Sequence, residues 1–95
     1  MRVELHPEAE AEFAAQVDYY EEQQPGLGER FDREVIGCLD WIAKNPTVPR
    51  LRKAYRRVNL KVFRFYLAYV IEGEMIWVLA VAHGSRKPGY WTDRM

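Results

Sequence analysis

The C-terminal half of this 95-residue chain carries side chains that could bind and process a phosphate-rich partner. Arginine and lysine stabilise negative charge, histidine and tyrosine can transfer protons, and aromatic rings beside cations stack on bases. Cleaving RNA without a metal ion needs these functions together. A solvent-exposed basic sheet face has the same composition, and composition alone favours that plainer interpretation. The candidates are Arg57, Lys61, Arg64, His83, Arg86, Lys87, Tyr90 and Trp91, although a structural role is favoured for His83 and a packing role for Trp91.

Other kinds of chemistry find little support in the sequence. His6, His83 and Cys38 do not have the spacing of a metal-binding motif, so we expect no metal site. Ser85 is the only serine, and the sequence identifies no carboxylate that would orient His83 in a catalytic triad with it. No glycine-rich phosphate loop is present. We therefore expect no cofactor.

The formal net charge of zero hides a strong division along the chain. Residues 1–49 carry eleven acidic and four basic side chains, whereas residues 50–95 carry three acidic and ten basic ones. This asymmetry predicts an electropositive surface in the C-terminal half, which would attract acidic or phosphate-rich partners. It is also consistent with acidic helices that lie beside basic strands and neutralise them.

The longest apolar stretches predict a central β-hairpin within residues 63–91. Two runs rich in β-branched and aromatic residues flank Glu72-Gly73-Glu74, a typical tight turn. Strict alternation puts both faces of the second strand among apolar residues: Trp77, Leu79, Val81 and His83 on one, Ile76, Val78, Ala80 and Ala82 on the other. We therefore expect an inner strand, with the candidate residues from His83 onwards emerging at its end.

Three further patterns complete the predicted fold. Alternation over Arg2–His6 predicts a first strand, and helical periodicity predicts helices over Pro7–Glu22 and Leu27–Lys44. A further strand is predicted near Tyr55–Lys61. The fold class is α+β in the order β-α-α-β-β-β, an antiparallel-dominated sheet with a helical hairpin packed on one face.

The size and composition of the chain indicate how many domains it forms and in which compartment it lies. A chain of 95 residues, 48% of them apolar, is expected to form one domain spanning residues 1–95. No segment has the length of a membrane span, and the single Cys38 rules out an internal disulfide and suits a reducing compartment. We expect a cytoplasmic protein with no membrane partner.

The assembled pattern resembles the RelE/ParE superfamily, the toxins of type II toxin–antitoxin or plasmid-stabilisation modules. The resemblance rests on the order of HPEAEAEF, the helical pair ending in IAKNP, the RRVNL strand, the YVIEGEMIWVLAVAHGSR hairpin and the closing PGYW. These features span nearly the whole chain. The resemblance implies a growth-arresting toxin that a cognate antitoxin protein neutralises.

The resemblance implies two candidate targets. ParE-like members inhibit DNA gyrase and are not nucleases, whereas RelE-like members cut messenger RNA on the ribosome. In the RelE-like pattern an arginine follows the aromatic of the third strand, at the position matched here by Tyr66, so we favour gyrase. The alternative nuclease would use Arg64 and Arg86 to stabilise charge and His83 or Tyr90 to transfer protons. A third possibility is a family member without toxicity that acts as a binding or regulatory partner.

Overall fold

The computed structural model describes all residues of the chain, Met1–Met95. Its elements are β1 (Arg2–Leu5), α1 (Pro7–Gln23), α2 (Leu27–Lys44), β2 (Arg56–Asn59), β3 (Phe65–Glu72), β4 (Met75–His83) and a short 3-10 helix (Thr92–Arg94). The predicted order is confirmed. No helix is both long and apolar enough to cross a membrane.

The two helices form a hairpin whose corner is held by a carboxylate. Proline occupies the first position of α1, where its missing N–H costs nothing. At the other end, Glu21 accepts the backbone N–H groups of Gly26 at 2.8 Å and Gly28 at 3.1 Å. Gly26 has φ of +89°, and a side chain at Gly28 would collide with the Val17 carbonyl. These glycines allow α2 to turn back closely along α1.

The four strands form one mixed sheet in the order β1-β4-β3-β2. The β3–β4 hairpin and the β2–β3 pair are antiparallel, whereas β1 runs parallel to β4. The predicted inner position of β4 is confirmed, because β1 and β3 flank it. The outer strand β2 is shorter than predicted: Tyr55 belongs to a turn closed by Arg52, and the N–H of Lys61 bonds to Glu34 on α2.

A β-bulge in β4 corrects the predicted faces of that strand. Ala80 pairs with Ala68 and Val78 pairs with Tyr69, so Leu79 is an extra residue without a partner across the hairpin. A bulge of this kind shifts the alternation by one position. Val81 therefore joins Ile76 and Val78 on the helix side, while Leu79, Ala80 and Ala82 face the other side. Strict alternation is correct through Leu79 and wrong from Ala80 onwards.

The sheet is covered on both faces, but by different parts of the chain. On one face the helices contribute an aromatic and aliphatic core around Phe31, Val35 and Ile42. On the other, the C-terminal segment after β4 lays the fully buried Trp91 across Leu79 and its neighbours. The C-terminal segment is thus a third layer, and it brings the candidate residues against the end of β4.

Candidate functional site

The predicted residues His83, Arg86 and Tyr90 meet at one end of the sheet, where β4 passes into the C-terminal segment. Together with residues of α1 they line a cleft of about 590 Å³. Three further aromatic rings, those of Tyr19, Tyr20 and Phe65, line it together with Glu12, Ala15, Gln16 and Val81. The cleft therefore combines aromatic surface with polar side chains, and Arg86 is the one arginine or lysine in its lining.

Arg86 is the exposed cation of this cleft. Its guanidinium lies 3.8 Å from the centre of the Tyr90 ring, a cation–π geometry. It takes part in none of the salt bridges of the molecule, which involve Arg2, Arg33 and Arg94. Arg86 therefore keeps an uncompensated charge in a position set by the ring beneath it.

Tyr90 is held by a hydrogen bond that its hydroxyl donates to Glu12 of α1. The oxygen atoms are 2.7 Å apart. Burial, followed by the bond to and the charge of Glu12, raises the pKa of Tyr90 well above its ordinary value, which Arg86 and Arg94 only partly offset. The hydroxyl stays protonated at neutral pH. Tyr90 is thus suited to positioning Arg86 and poorly suited to accepting a proton.

Glu12 is the centre of a larger network that the sequence did not predict. Its carboxylate accepts the Val81 N–H at 3.1 Å and two bonds from the Arg94 guanidinium at 3.0 and 3.1 Å. Arg94 also bonds the Leu79 carbonyl at 2.9 Å and pairs with Glu8 at 2.8 Å. The network joins α1, the bulged part of β4 and the last residues of the chain.

The Glu12–Arg94 pair favours the charged form of the arginine. Burial alone would lower the pKa of Arg94, but the hydrogen bond and charge of Glu12 outweigh it and raise that pKa. The two residues lie 82 positions apart. No local pattern connects them, because Glu12 lies just beyond the acidic first turn of α1, whose Glu8 and Glu10 are explained by the helix dipole.

His83 is engaged on one side of its ring. The Ser85 backbone N–H donates to Nδ1 at 3.0 Å, and the Ser85 hydroxyl oxygen lies 2.6 Å from the same nitrogen. A backbone N–H can only donate, so Nδ1 is the acceptor and Nε2 carries the proton. The ring also packs edge-on against Phe65 at 5.0 Å. His83 therefore offers a donor, and no free base, to a ligand.

The other predicted cations are distributed around the sheet. Arg64 is exposed, and its carbonyl accepts the N–H of Gly84, the residue after His83, at 2.7 Å. Lys87 is exposed next to Arg86. Arg57 lies on β2, with its guanidinium 4.0 Å from the Tyr66 ring on the face away from the helices. Lys61 follows β2 near α2. None of these four side chains lines the cleft, and Arg64 and Lys87 are the two whose backbone adjoins its residues.

Trp91 was one of the candidates for the binding surface, and its position in the structure excludes this role. It has no exposed area, its indole N–H donates to the Tyr66 hydroxyl at 3.2 Å, and it packs edge-on against Tyr55 at 4.5 Å. A side chain buried in this way cannot touch a partner. Trp91 anchors the C-terminal segment that carries Arg86 and Tyr90.

The arrangement suits binding better than acid–base chemistry. No group of three or more residues that could hold a metal ion is found. The proton-transfer candidates His83 and Tyr90 are committed to Ser85 and Glu12, whereas Arg86 is free to meet a partner. The cleft can therefore hold an acidic group at Arg86, next to an apolar or aromatic one.

Comparison with known proteins gives a consistent result. Residues 3–88 match the family described as the ParE toxin of the type II toxin–antitoxin system parDE. The protein named Toxin ParE2 in two strains of Mycobacterium tuberculosis is 33% identical over 92 residues, covering 92% of this chain and 85% of the relative. A structure described as the chromosomal ParDE toxin–antitoxin system from P. aeruginosa superposes with a TM-score of 0.76. It has 17% identity and covers 87% of this chain and 95% of that one, which is a likeness of fold.

Proposed function

This chain belongs to the ParE toxin family of type II toxin–antitoxin systems, and we propose that it arrests growth by binding and inhibiting DNA gyrase. It is the toxin component of its system and has a cognate antitoxin protein as partner. Gyrase lies in the bacterial cytoplasm, so the proposal places the chain there too. The proposed target-binding surface consists of Arg86, Lys87, Arg64 and the cleft beside them.

The observation that carries this proposal is the state of Arg86. It is exposed, lacks a carboxylate partner and is held in place by a ring that Glu12 fixes in turn. A cation whose position is set before binding loses little conformational entropy when it meets an acidic group. Arginine beside aromatic residues is also the composition typical of strong contact points in protein interfaces.

The alternative, ribosome-dependent cleavage of messenger RNA, has weaker support. Tyr66 stands where the RelE-like pattern has an arginine, and it is buried under Trp91 and Arg57. The Tyr90 hydroxyl is bonded to Glu12, and Nδ1 of His83 is occupied. His83 and Tyr90 both line the cleft, but they are engaged with Ser85 and Glu12, so neither is free to take the proton of a ribose hydroxyl.

The test is a supercoiling assay with purified gyrase and the purified chain. We expect inhibition by the wild type, and we expect Arg86→Ala to raise the half-inhibitory concentration at least about tenfold, the loss of one good arginine contact. Arg50→Ala is the matched control, because Arg50 is exposed in the loop before β2 and away from the cleft. Both variants should keep the wild-type unfolding midpoint.

Two results would contradict the proposal. Full gyrase activity together with new messenger RNA ends inside translated codons would establish the nuclease. Absence of both effects, with normal growth on induction, would establish a partner without toxicity.

A further inference from the structure

The turn that follows β4 places two polar groups of the cleft side by side. The N–H of Arg86 donates to the His83 carbonyl at 3.1 Å, which closes the turn. Between them, the N–H of Gly84 donates to the Arg64 carbonyl at 2.7 Å, which ties the turn to the residue before β3. His83 and Arg86 are thus three residues apart on a bonded backbone, and both side chains line the cleft.

The same turn fixes the tautomer of His83. The Ser85 N–H donates to Nδ1 at 3.0 Å, so the ring proton is on Nε2. The Ser85 hydroxyl oxygen lies 2.6 Å from Nδ1, and Phe65 packs edge-on against the ring at 5.0 Å. These contacts restrict the rotation of the ring, so the Nε2–H group has a set direction before any partner arrives.

The Nε2–H group of His83 is a free and accessible donor. No hydrogen bond within the chain uses Nε2, because both contacts of the ring are made by Nδ1. Among the residues that are not exposed, the only buried side-chain nitrogen or oxygen atom without a partner is one oxygen of Glu34. The unbonded Nε2 of the half-buried His83 therefore touches solvent. A ligand in the cleft can reach it.

The charges in the cleft select an anion. Both oxygens of Glu12 are occupied: one accepts the Val81 N–H, the other accepts the Tyr90 hydroxyl, and Arg94 bonds to both. Arg86, by contrast, takes part in no salt bridge. The cleft thus presents one uncompensated positive charge and, from the same turn, one neutral N–H donor. A carboxylate has two oxygens and can accept from both groups.

The rest of the lining favours a carboxylate of a protein over the phosphates of a nucleic acid. Proteins hold a nucleic-acid backbone with several cations that follow successive phosphates. Arg86 is the one arginine or lysine that lines the cleft. The rings of Tyr19, Tyr20 and Phe65 add surface on which an apolar side chain next to the carboxylate can pack.

We propose that His83 is a target-binding residue, which donates its Nε2–H to the same carboxylate that pairs with Arg86. The cleft then recognises an aspartate or glutamate of the target protein that is flanked by a large apolar side chain. The inference rests on the proposed function, because it names the chemistry that the target-binding surface recognises. It gives His83 a role in binding and none in proton transfer.

Two amide substitutions separate this role from a structural one. In His83→Gln the side-chain amide extends to the place of Nε2, so the donor to the ligand is kept and the acceptor for the Ser85 N–H is lost. In His83→Asn the shorter amide reaches only the place of Nδ1, so the Ser85 N–H keeps its acceptor and the donor to the ligand is lost. A binding role and a structural role therefore predict opposite orders for the two variants.

The first measurement is the inhibition of purified gyrase in the supercoiling assay. We expect His83→Asn to raise the half-inhibitory concentration about tenfold, the loss of one hydrogen bond to a charged group. His83→Gln should stay within about threefold of the wild type. Adding His83→Asn to Arg86→Ala should cost less than about threefold more, because the two residues share one carboxylate.

Nuclear magnetic resonance of the isotope-labelled chain tests the inference without gyrase. The His83 ring should show the Nε2–H tautomer, and His83→Gln identifies its signals because His6 is the only other histidine. The probe is phenylacetate, a carboxylate attached to an aromatic ring. Its titration should shift the Nε2 signal of His83, and inorganic phosphate at the same concentration should shift it less.

Four outcomes would overturn the inference. These are an Nδ1–H tautomer, no shift of the His83 signals with phenylacetate, weaker inhibition by His83→Gln than by His83→Asn, and additive losses in the double variant. A larger shift with phosphate would overturn it in favour of a nucleic-acid ligand. If the wild type does not inhibit gyrase, the proposed function fails, and the phenylacetate titration still decides whether His83 binds a carboxylate.

Discussion

Two glutamates on neighbouring helices, Glu12 and Glu34, perform the same task at two places in the sheet with different results. Glu12 accepts one backbone N–H from the last part of β4, and Glu34 accepts two from the residues just after β2. Glu12 is then completed by Arg94 and Tyr90 from the C-terminal segment, whereas the second oxygen of Glu34 has no partner. One region is closed by the chain itself, and the other is left open.

The two regions therefore differ in how completely their polar groups are bonded within the chain. Around Glu12 the geometry is fixed before any partner arrives, so Arg86 is presented on Tyr90 in a set position. Around Glu34 the outer edge of β2 is unpaired, and Trp41 beside it is partly exposed. The region around Glu12 is the one that carries the residues proposed for target binding.

The largest expected loss of stability in the region around Glu12 and the C-terminal segment is that of Trp91→Ala. Trp91 is completely buried and anchors the third layer, so we expect a loss of about 4 kcal/mol in the free energy of unfolding. Trp41→Ala in the open region should cost less than about 1 kcal/mol, because Trp41 is 41% exposed. Urea unfolding of both variants measures the contrast, and equal losses would show that the two regions are equally packed.

The two carboxylates can be compared directly by amide substitution. Glu12 and its partner Arg94 form a nearly buried ion pair, in which the Glu12 side chain is 19% exposed and the Arg94 side chain 11% exposed. Glu12→Gln removes the charge from this nearly buried pair and should cost about 2 kcal/mol of unfolding free energy. Glu34→Gln keeps one acceptor for the Lys61 and Val62 N–H groups and should cost about 0.5 kcal/mol or less. A larger loss at Glu34 would mean that its orphaned oxygen is engaged in solution.

The smallest expected effect is a pH dependence of the closed region. The pKa of Tyr90 is raised in the folded chain, so above the ordinary tyrosine value the unfolded state releases a proton that the folded state keeps. Stability from this group is fully present at neutral pH and falls as the pH rises beyond about 10. Tyr90→Phe should have a shallower alkaline slope in urea unfolding than the wild type. An unchanged slope would show that Tyr90 ionises normally.

The sequence predicted the elements better than the connections between them. Periodicity found both helices and the hairpin because each depends on residues close in the chain. The bulge was not predicted, because Leu79 and Ala80 are both apolar and a shift of one position leaves the apolar pattern of β4 unchanged. The hydrogen bonding of Glu34 was not predicted, because its donors lie in the loop at Lys61 and Val62, beyond the end of β2.

The site was predicted in part for the same reason. His83, Arg86 and Tyr90 are neighbours in the chain and meet in the cleft. Trp91 looked like a contact residue, but burial makes it an anchor. Glu12 and Arg94, which hold the site together, lie at opposite ends of the chain, and only the folded topology brings them into contact.

The most direct test of the proposed target surface is gyrase supercoiling with the wild type, Arg86→Ala and Arg50→Ala over the same range of concentrations. We predict that Arg50→Ala inhibits like the wild type and that Arg86→Ala needs a concentration at least about tenfold higher. Equal inhibition by Arg86→Ala, or no inhibition by the wild type, would contradict the proposal.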